Sequence, residues 1–317
     1  MSATRPRIFV LDEFHEAGLA ILAGRAEVIR WDDPRAAAWR EEADGVMVRM
    51  TRLTAEDFRR TRRLKVVVKQ GVGIETIDLS AATAHGVAVC NTPGVNSEAV
   101  AELALTLGLC VMRRVAEMDR ALRRDGPPVE RADYLGLECW GRTIGIIGMG
   151  NIGTRVARKW RGAFDARLIA LDPYRPADHW AGIPHERASS LAELLPKADI
   201  LTLHLPLTPE TRHMIGAREL GLMKPTAVLI NTSRGGIVEE EALYEALKAK
   251  RIFGAGFDVF EVEPPGPSTT RLLSLPNLVA TPHAAGGTLE TQAKSSELVA
   301  RQILDVLAGR PALSRVA

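Results

Sequence analysis

Four short apolar runs in this chain end in side chains that can move protons or bind anions. Val228-Leu229-Ile230 leads into Asn231-Thr232-Ser233-Arg234-Gly235-Gly236, and Ala255-Gly256-Phe257 leads into Asp258, with Glu261 and Glu263 close behind. Leu278-Val279-Ala280 leads into Thr281-Pro282-His283, and His204 follows Leu201-Thr202-Leu203. Arginine offers a planar fork that matches a carboxylate, and Gly235-Gly236 lets backbone approach it closely. Histidine titrates near neutrality, so it can protonate a forming alkoxide and take the proton back in the reverse direction. A carboxylate beside it would favour the imidazolium and fix the ring. A cation, a carboxylate and a histidine gathered at one site are what proton exchange at a carboxylate-bearing carbonyl requires.

Residue types alone leave choices open. Arg234 could be a surface charge, and Asp258 could simply satisfy backbone groups at a strand end. His204 competes with His283 for the acid–base role, and only the Pro282 and Ala284-Ala285-Gly286-Gly287 setting, which fixes the backbone, favours His283. His15, His85, His179, His185 and His213 lie in polar helical or turn-like stretches and are expected at the surface.

A second constellation suits a dinucleotide. Gly145-Ile146-Ile147 is an apolar run leading into Gly148, Gly150 and Gly153 at GxGxxG spacing; a helical pattern follows, and Asp172 closes the next apolar run, Leu168–Leu171. The first glycine permits the turn, the second admits a pyrophosphate, and the third lets helix pack on strand, so that Asn151 and Ile152 open a helix facing the phosphates. Asp172 suits a ribose hydroxyl and would repel a 2′-phosphate, which points to NAD, with Arg175 as a nearby counter-indication. GxxxxGK[ST], HExxH, GxSxG and metal-ligand spacings are all missing from the sequence.

These groups need strands to place them. Short β-branched runs alternate with helical patterns along the chain, which predicts an α/β protein with parallel sheets. Strands are expected near Ile8–Leu11, Val46–Val48, Val66–Val68 and Val87–Val89, and again near Leu168–Leu171, Ile200–Leu203, Val228–Ile230, Ala255–Phe257 and Leu278–Ala280. A nucleotide-binding unit begins with its glycine-turn strand, so the residues before it form a separate βα domain. Between the sets runs one long buried helix from Ser97 to Leu122, with Ser97 as its N-cap, and a second, Leu289 to Leu307, closes the chain. Asp125–Trp140 and Glu263–Pro267 are expected to be surface loops.

Composition restricts the partners. A net charge of +2 over 317 residues gives no reason to expect a polyanion. The basic cluster Arg59, Arg60, Arg62, Arg63 and Lys65 is expected to be a solvated face. Apolar runs are too short to span a bilayer, and the stretch Met1–Arg7 carries no secretory pattern, so a cytoplasmic location is the expectation. Cys90, Cys110 and Cys139 are widely spaced and suggest neither disulfides nor zinc.

Taken in order, these motifs resemble the D-isomer-specific 2-hydroxyacid dehydrogenases over nearly the whole chain. The resemblance is carried by Gly71-Val72-Gly73 with Asp78, Asn91-Thr92-Pro93, the Asn96-Ser97 helix start with Val100-Ala101-Glu102, Gly148 to Gly153, and Asp172. It continues through His204-Leu205-Pro206-Leu207-Thr208, Asn231 to Gly236, Asp258-Val259-Phe260 with Glu263-Pro264, and Thr281-Pro282-His283. It implies two Rossmann-like parallel-sheet domains: a discontinuous, flavodoxin-like substrate domain of residues 1–97 and 286–317, and an NAD-binding Rossmann domain of residues 98–285. It further implies that Arg234 binds the substrate carboxylate and polarises the carbonyl, that Glu263 pairs with His283, and that His283 is the acid–base. His204 is then placed near the cofactor. Asn151, Ile152, Thr232 and Asp258 would line the cofactor site together with Gly148, Gly150, Gly153 and Asp172, while Arg49, Val72 and Gly73 would hold substrate.

The expected activity is reduction of a small 2-oxoacid such as glyoxylate or hydroxypyruvate with NADH, by a homodimer that binds neither nucleic acid nor membrane. A phosphoglycerate dehydrogenase-like biosynthetic enzyme and an NAD-sensing, corepressor-like binding protein are the alternatives. Met50 stands where phosphoglycerate-type members carry a small polar residue, and a chain ending at Ala317 is expected to lack their regulatory domain. Glu263 differs from the glutamine of formate dehydrogenases, which argues against formate.

Overall fold

In a computed structural model that describes residues 5–317, the strands pair in parallel in two separate sheets. Most of the polar Met1–Arg7 stretch lies outside the described residues. The chain divides into two units, one holding the residues up to Asn96 together with Gly287–Ala317, the other Ser97–Gly286.

The first unit carries β1 (Arg7–Val10), β2 (Glu27–Ile29), β3 (Gly45–Val48), β4 (Val66–Lys69) and β5 (Ala88–Cys90) in the order β2-β1-β3-β4-β5. β3 and the Val66–Val68 run of β4 are buried because both sheet faces are covered, which is why the sequence shows continuous apolar runs rather than alternation. The order reverses between β1 and β3, and loops at the carboxyl ends of such a pair flank a ligand crevice. Asp12, just past β1, holds the loop past β3: its carboxylate accepts the N–H groups of Arg49 at 2.6 Å and Met50 at 3.0 Å and the Thr51 hydroxyl at 2.9 Å.

The closing helix Leu289–Leu307 belongs to this unit. It packs on the helix Glu16–Leu22, where a Cβ at Gly18 would lie 2.3 Å from the Ser296 carbonyl oxygen. Buried Gln302 donates to the Asn91 carbonyl at 2.8 Å, and Val316 donates to the Val89 carbonyl at 2.8 Å, so the end of the chain adds to the edge at β5.

The second unit carries β6 (Thr143–Ile147), β7 (Arg167–Leu171), β8 (Glu186–Arg187), β9 (Ile200–Leu203), β10 (Val228–Asn231), β11 (Gly254–Phe257) and β12 (Leu278–Ala280), ordered β12-β11-β10-β9-β6-β7-β8. Its reversal lies between β6 and β9, directly below Gly148 and His204. The expected helix Ser97–Leu122 is two helices, Ser97–Met112 and Val115–Arg123, broken where Arg114 takes a left-handed φ of 54°. Ser97 is the first helical residue rather than the cap. Edge strands β2 and β8 were not expected from the pattern; both are short and carry charged residues. The basic cluster is a solvated face with acidic partners: Arg59 pairs with Glu56, Arg60 with Glu41 and Arg63 with Asp44. Among the described residues no helix is long and apolar enough to cross a membrane.

The contact at Gly18 leaves no room for a methyl group. Gly18→Ala is expected to destabilise the first unit by about 1–3 kcal/mol through overpacking, read as a lower denaturation midpoint. An unchanged midpoint would show that the two helices can move apart freely.

Candidate active site

Asp258 sits one residue beyond β11 and is fully buried. Its Oδ1 accepts from the Thr281 hydroxyl at 2.5 Å and from Ala284 N–H at 2.8 Å, and its Oδ2 accepts from Ala285 N–H at 2.9 Å. Its carbonyl accepts from His283 N–H at 2.7 Å. A carboxylate buried at this depth is tolerated because donors converge on it. The loop is thereby wrapped around one acid, and His283 is held at a left-handed φ of 54°, uncommon for a residue with a Cβ. Asp258, expected at the cofactor, thus has its carboxylate committed to positioning the histidine.

The ring of His283 meets Glu263, with Nδ1 2.7 Å from Oε2. Glu263 is set in turn by Phe260, whose N–H donates to Oε1 at 3.2 Å. The hydrogen bond from Glu263 raises the His283 pKa above its ordinary value; partial burial opposes this, the charges of Glu263 and Asp258 add to it, and Arg234 subtracts. Burial pushes Glu263 upward, but the bond to His283, the imidazolium charge, Phe260 N–H and Arg234 outweigh it, and its pKa falls. Both shifts have one meaning: imidazolium beside carboxylate is the favoured state. The Nδ1 contact engages one ring nitrogen and leaves Nε2 as the other site at which the ring can carry a proton.

Arg234 lies three residues past β10 on a turn built by Asn231. Asn231 Nδ2 donates to the Arg234 carbonyl at 2.9 Å, and its Oδ1 accepts from the Ser233 N–H and hydroxyl. A Cβ at Gly235 would lie 1.8 Å from the Phe260 carbonyl oxygen, so this turn is pressed against the loop that carries Glu263. The Arg234 guanidinium donates to the Ser233 carbonyl at 2.7 Å and is near enough to bias both Glu263 and His283. Arg234, Glu263 and His283 therefore come together from three neighbouring loops at the carboxyl ends of β10, β11 and β12.

His204 is the histidine that burial disqualifies. Desolvation pulls its pKa down to about 3, its Nε2 lies 2.9 Å from the Thr202 hydroxyl, and its buried Nδ1 has no partner. It is neutral throughout the physiological range and cannot supply a proton.

The glycine turn fits a dinucleotide. Gly148 takes φ 97°, and a Cβ there would stand 2.2 Å from the His204 carbonyl oxygen; one at Gly153 would stand 2.0 Å from the Gly148 carbonyl oxygen. Gly150 caps the helix Asn151–Phe164 without a side-chain bond, the first turn contains no acid, and the space above Gly150 is open except for Arg175 Nη2 at 4.0 Å. Free amide groups at a helix start, reachable by backbone alone, form an anion site. Asp172 follows β7, with Oδ2 accepting Met149 N–H at 2.8 Å and Oδ1 accepting Tyr174 N–H at 3.0 Å. Thr232, after β10, has a buried hydroxyl without a partner. Arg49, Val72 and Gly73 lie in the other unit, past β3 and β4; Val72 is exposed, and its carbonyl accepts from Asn91 Nδ2 at 2.9 Å.

Two residues that shape these loops were not evident from residue type. Asp12 sets the Arg49 loop, and His179, expected at the surface, is half-buried with Nε2 2.7 Å from the Met149 carbonyl. Both act on partners far away in sequence, so no local pattern announces them.

Comparison with known proteins agrees with this geometry. Residues 105–285 match the family profile for the D-isomer specific 2-hydroxyacid dehydrogenase NAD binding domain. The chain is 40% identical over 309 residues to a glyoxylate reductase of Korarchaeum cryptofilum, covering 95% of this chain and 92% of the relative. It is 39% identical over 307 residues to a D-3-phosphoglycerate dehydrogenase of Methanocaldococcus jannaschii, which takes in 96% of this chain but 58% of that relative's length. A crystal structure of an NADPH-dependent glyoxylate/hydroxypyruvate reductase from Sinorhizobium meliloti, in complex with citrate, superposes with a TM-score of 0.83 at 32% identity, covering 99% of this chain and 98% of that one. With a glycine turn built for a dinucleotide and an arginine, glutamate and histidine at the ends of adjacent strands, the chain belongs to the D-isomer-specific 2-hydroxyacid dehydrogenases, oxidoreductases that act on CH–OH groups with a nicotinamide cofactor.

Proposed function

We propose that this chain reduces a small 2-oxoacid of the glyoxylate or hydroxypyruvate class with NADH, and that His283 is the proton donor. The observation that carries this reading is the Glu263–His283 pair at 2.7 Å, which favours the protonated histidine beside a guanidinium. A nicotinamide dinucleotide held at the Gly148–Gly153 turn would supply the hydride for C2. Arg234 binds the substrate carboxylate through its planar fork and draws electron density from the carbonyl. As the carbonyl oxygen gains charge, His283 delivers the Nε2 proton to it, and Glu263 stabilises the imidazolium until that moment and holds the ring in place. The reverse reaction begins with neutral His283 accepting the hydroxyl proton.

The substrate contacts expected of Arg49, Val72 and Gly73 are part of this proposal, as are the cofactor contacts of Gly148, Gly150, Asn151, Ile152, Gly153, Asp172, Thr232 and Asp258. Preference for NAD over NADP is supported by the Asp172 carboxylate, which a 2′-phosphate would have to approach. Arg175, the counter-indication, has its Nη2 4.0 Å from the position of a Cβ at Gly150. A small unphosphorylated substrate is supported by Met50, which is exposed beside Arg49 and has no hydrogen-bonding group to offer a phosphate. A homodimer and a cytoplasmic location complete the proposal.

NADH consumption by purified protein against glyoxylate, hydroxypyruvate, pyruvate, phosphohydroxypyruvate and a branched 2-oxoacid tests the assignment. Turnover on glyoxylate or hydroxypyruvate, falling by about 10²–10⁴-fold in His283→Ala, is expected. No turnover on any acid by protein that binds NADH would favour the NAD-sensing alternative.

The pH profile follows from the shifts. Reduction consumes the imidazolium form, which persists up to the raised pKa of His283, so the rate holds below that value and falls as pH rises through it. Oxidation needs the neutral ring and rises through the same value. In Glu263→Gln the raising partner is gone, and the falling limb of reduction moves to lower pH. A limb that stays in place in Glu263→Gln, with chemistry rate-limiting, would contradict the pairing.

A further inference from the structure

Met149 lies between two glycines in the cofactor turn, and its peptide link to Gly150 falls outside the helical hydrogen-bond ladder that begins at Gly150. Flanking glycines make such a peptide unusually free to flip. In a trans peptide the carbonyl and the next N–H point in opposite directions, so whatever holds the Met149 carbonyl also aims the Gly150 N–H. That carbonyl accepts a hydrogen bond from His179 Nε2 at 2.7 Å, across 30 residues of chain. A carbonyl can only accept, so Nε2 carries the proton.

The rest of the neighbourhood braces this contact. The Met149 side chain is fully buried, and its N–H is held by Asp172 at 2.8 Å, which leaves the carbonyl as the remaining degree of freedom. Trp180, the next residue after His179, is buried at φ 70° and donates its Nε1–H to the Thr154 hydroxyl at 2.7 Å, which itself donates to the Gly150 carbonyl at 2.8 Å. Arg187 ties down the stretch leading to His179 through the carbonyls of Asp172, Arg175 and Pro176.

We propose that His179 is a positioning residue of the nicotinamide dinucleotide site: by gripping the Met149 carbonyl it locks the Met149–Gly150 peptide in the orientation that presents the Gly150 N–H to the cofactor pyrophosphate. With the grip released, the peptide flips part of the time and turns a carbonyl toward the phosphates. The unliganded turn is then a mixture, and dinucleotide affinity drops by the fraction that is misoriented. The chemical step is untouched, because Arg234, Glu263 and His283 stand on other loops. This inference rests on the nicotinamide reading of the glycine turn.

The test is direct titration of NADH by fluorescence with wild type, His179→Ala and His179→Gln, alongside kcat and KM for NADH and the melting temperature of each. Glutamine keeps an Nε2–H donor at similar reach. His179→Ala is expected to weaken NADH binding about 3- to 10-fold, the loss of one hydrogen bond, with kcat at saturating NADH unchanged, and His179→Gln is expected to restore affinity. Equal affinity in wild type and His179→Ala, or a His179→Gln as weak as His179→Ala, would overturn the role of His179 while leaving the cofactor site standing. Wild type that fails to bind NADH would overturn the cofactor reading itself.

Discussion

The geometry of the loop that carries His283 hangs on a single buried carboxylate. Asp258 is held between β11 and β12 with no access to solvent, and an acid in that position must find donors or destabilise the fold. It finds the Thr281 hydroxyl and the amides of Ala284 and Ala285, and so draws the chain after β12 into a loop that closes over it. His283 sits at the crest of that loop with a backbone conformation the loop dictates. The strain of a left-handed histidine is offset by the hydrogen bonds around Asp258, and the ring is delivered to Glu263 rather than left to find it. The Glu263–His283 pair is thus assembled by folding.

The two sheets place loops by the same rule. Each is parallel and doubly wound, each reverses order next to its first strand, and each puts polar residues at the carboxyl ends beside that reversal. In the first unit the reversal point is occupied by Asp12 and the loop it organises around Arg49. In the second it is occupied by the Gly148 turn and by His204, whose burial keeps it neutral and whose carbonyl leaves no space for a side chain at position 148. Glycine at this position is therefore demanded twice, by a positive φ and by contact with β9's successor residues.

Much of this was legible in the sequence, for a physical reason. Strands buried on both faces appear as uninterrupted apolar runs, so Val66–Val68, Ile200–Leu203 and Val228–Ile230 stand out, and polar residues directly after them are at once suspect. These two edge strands lack that signature: Glu27–Ile29 and Glu186–Arg187 are only three and two residues long and hold charged residues, so they pass for loop. The break at Arg114 was invisible because arginine is a good helix former, and only the surrounding packing turns it left-handed. Asp258 was singled out, yet its hold on Ala284 and Ala285 is a tertiary contact that no spacing encodes. His179 is the plainest case. A histidine in a polar stretch looks like surface, and its bond to Met149 exists only once the crossover after β7 has folded back over the glycine turn.

The claim on which the proposed chemistry stands is that Glu263 holds His283 in its protonated state. Histidine-selective NMR titration of the whole protein, with His283 assigned by substitution, measures this without reference to any substrate. A His283 midpoint above the ordinary value of 6.5, falling in Glu263→Gln, is the predicted result. A midpoint at or below that value in the wild type, or one indifferent to Glu263→Gln, would contradict the account.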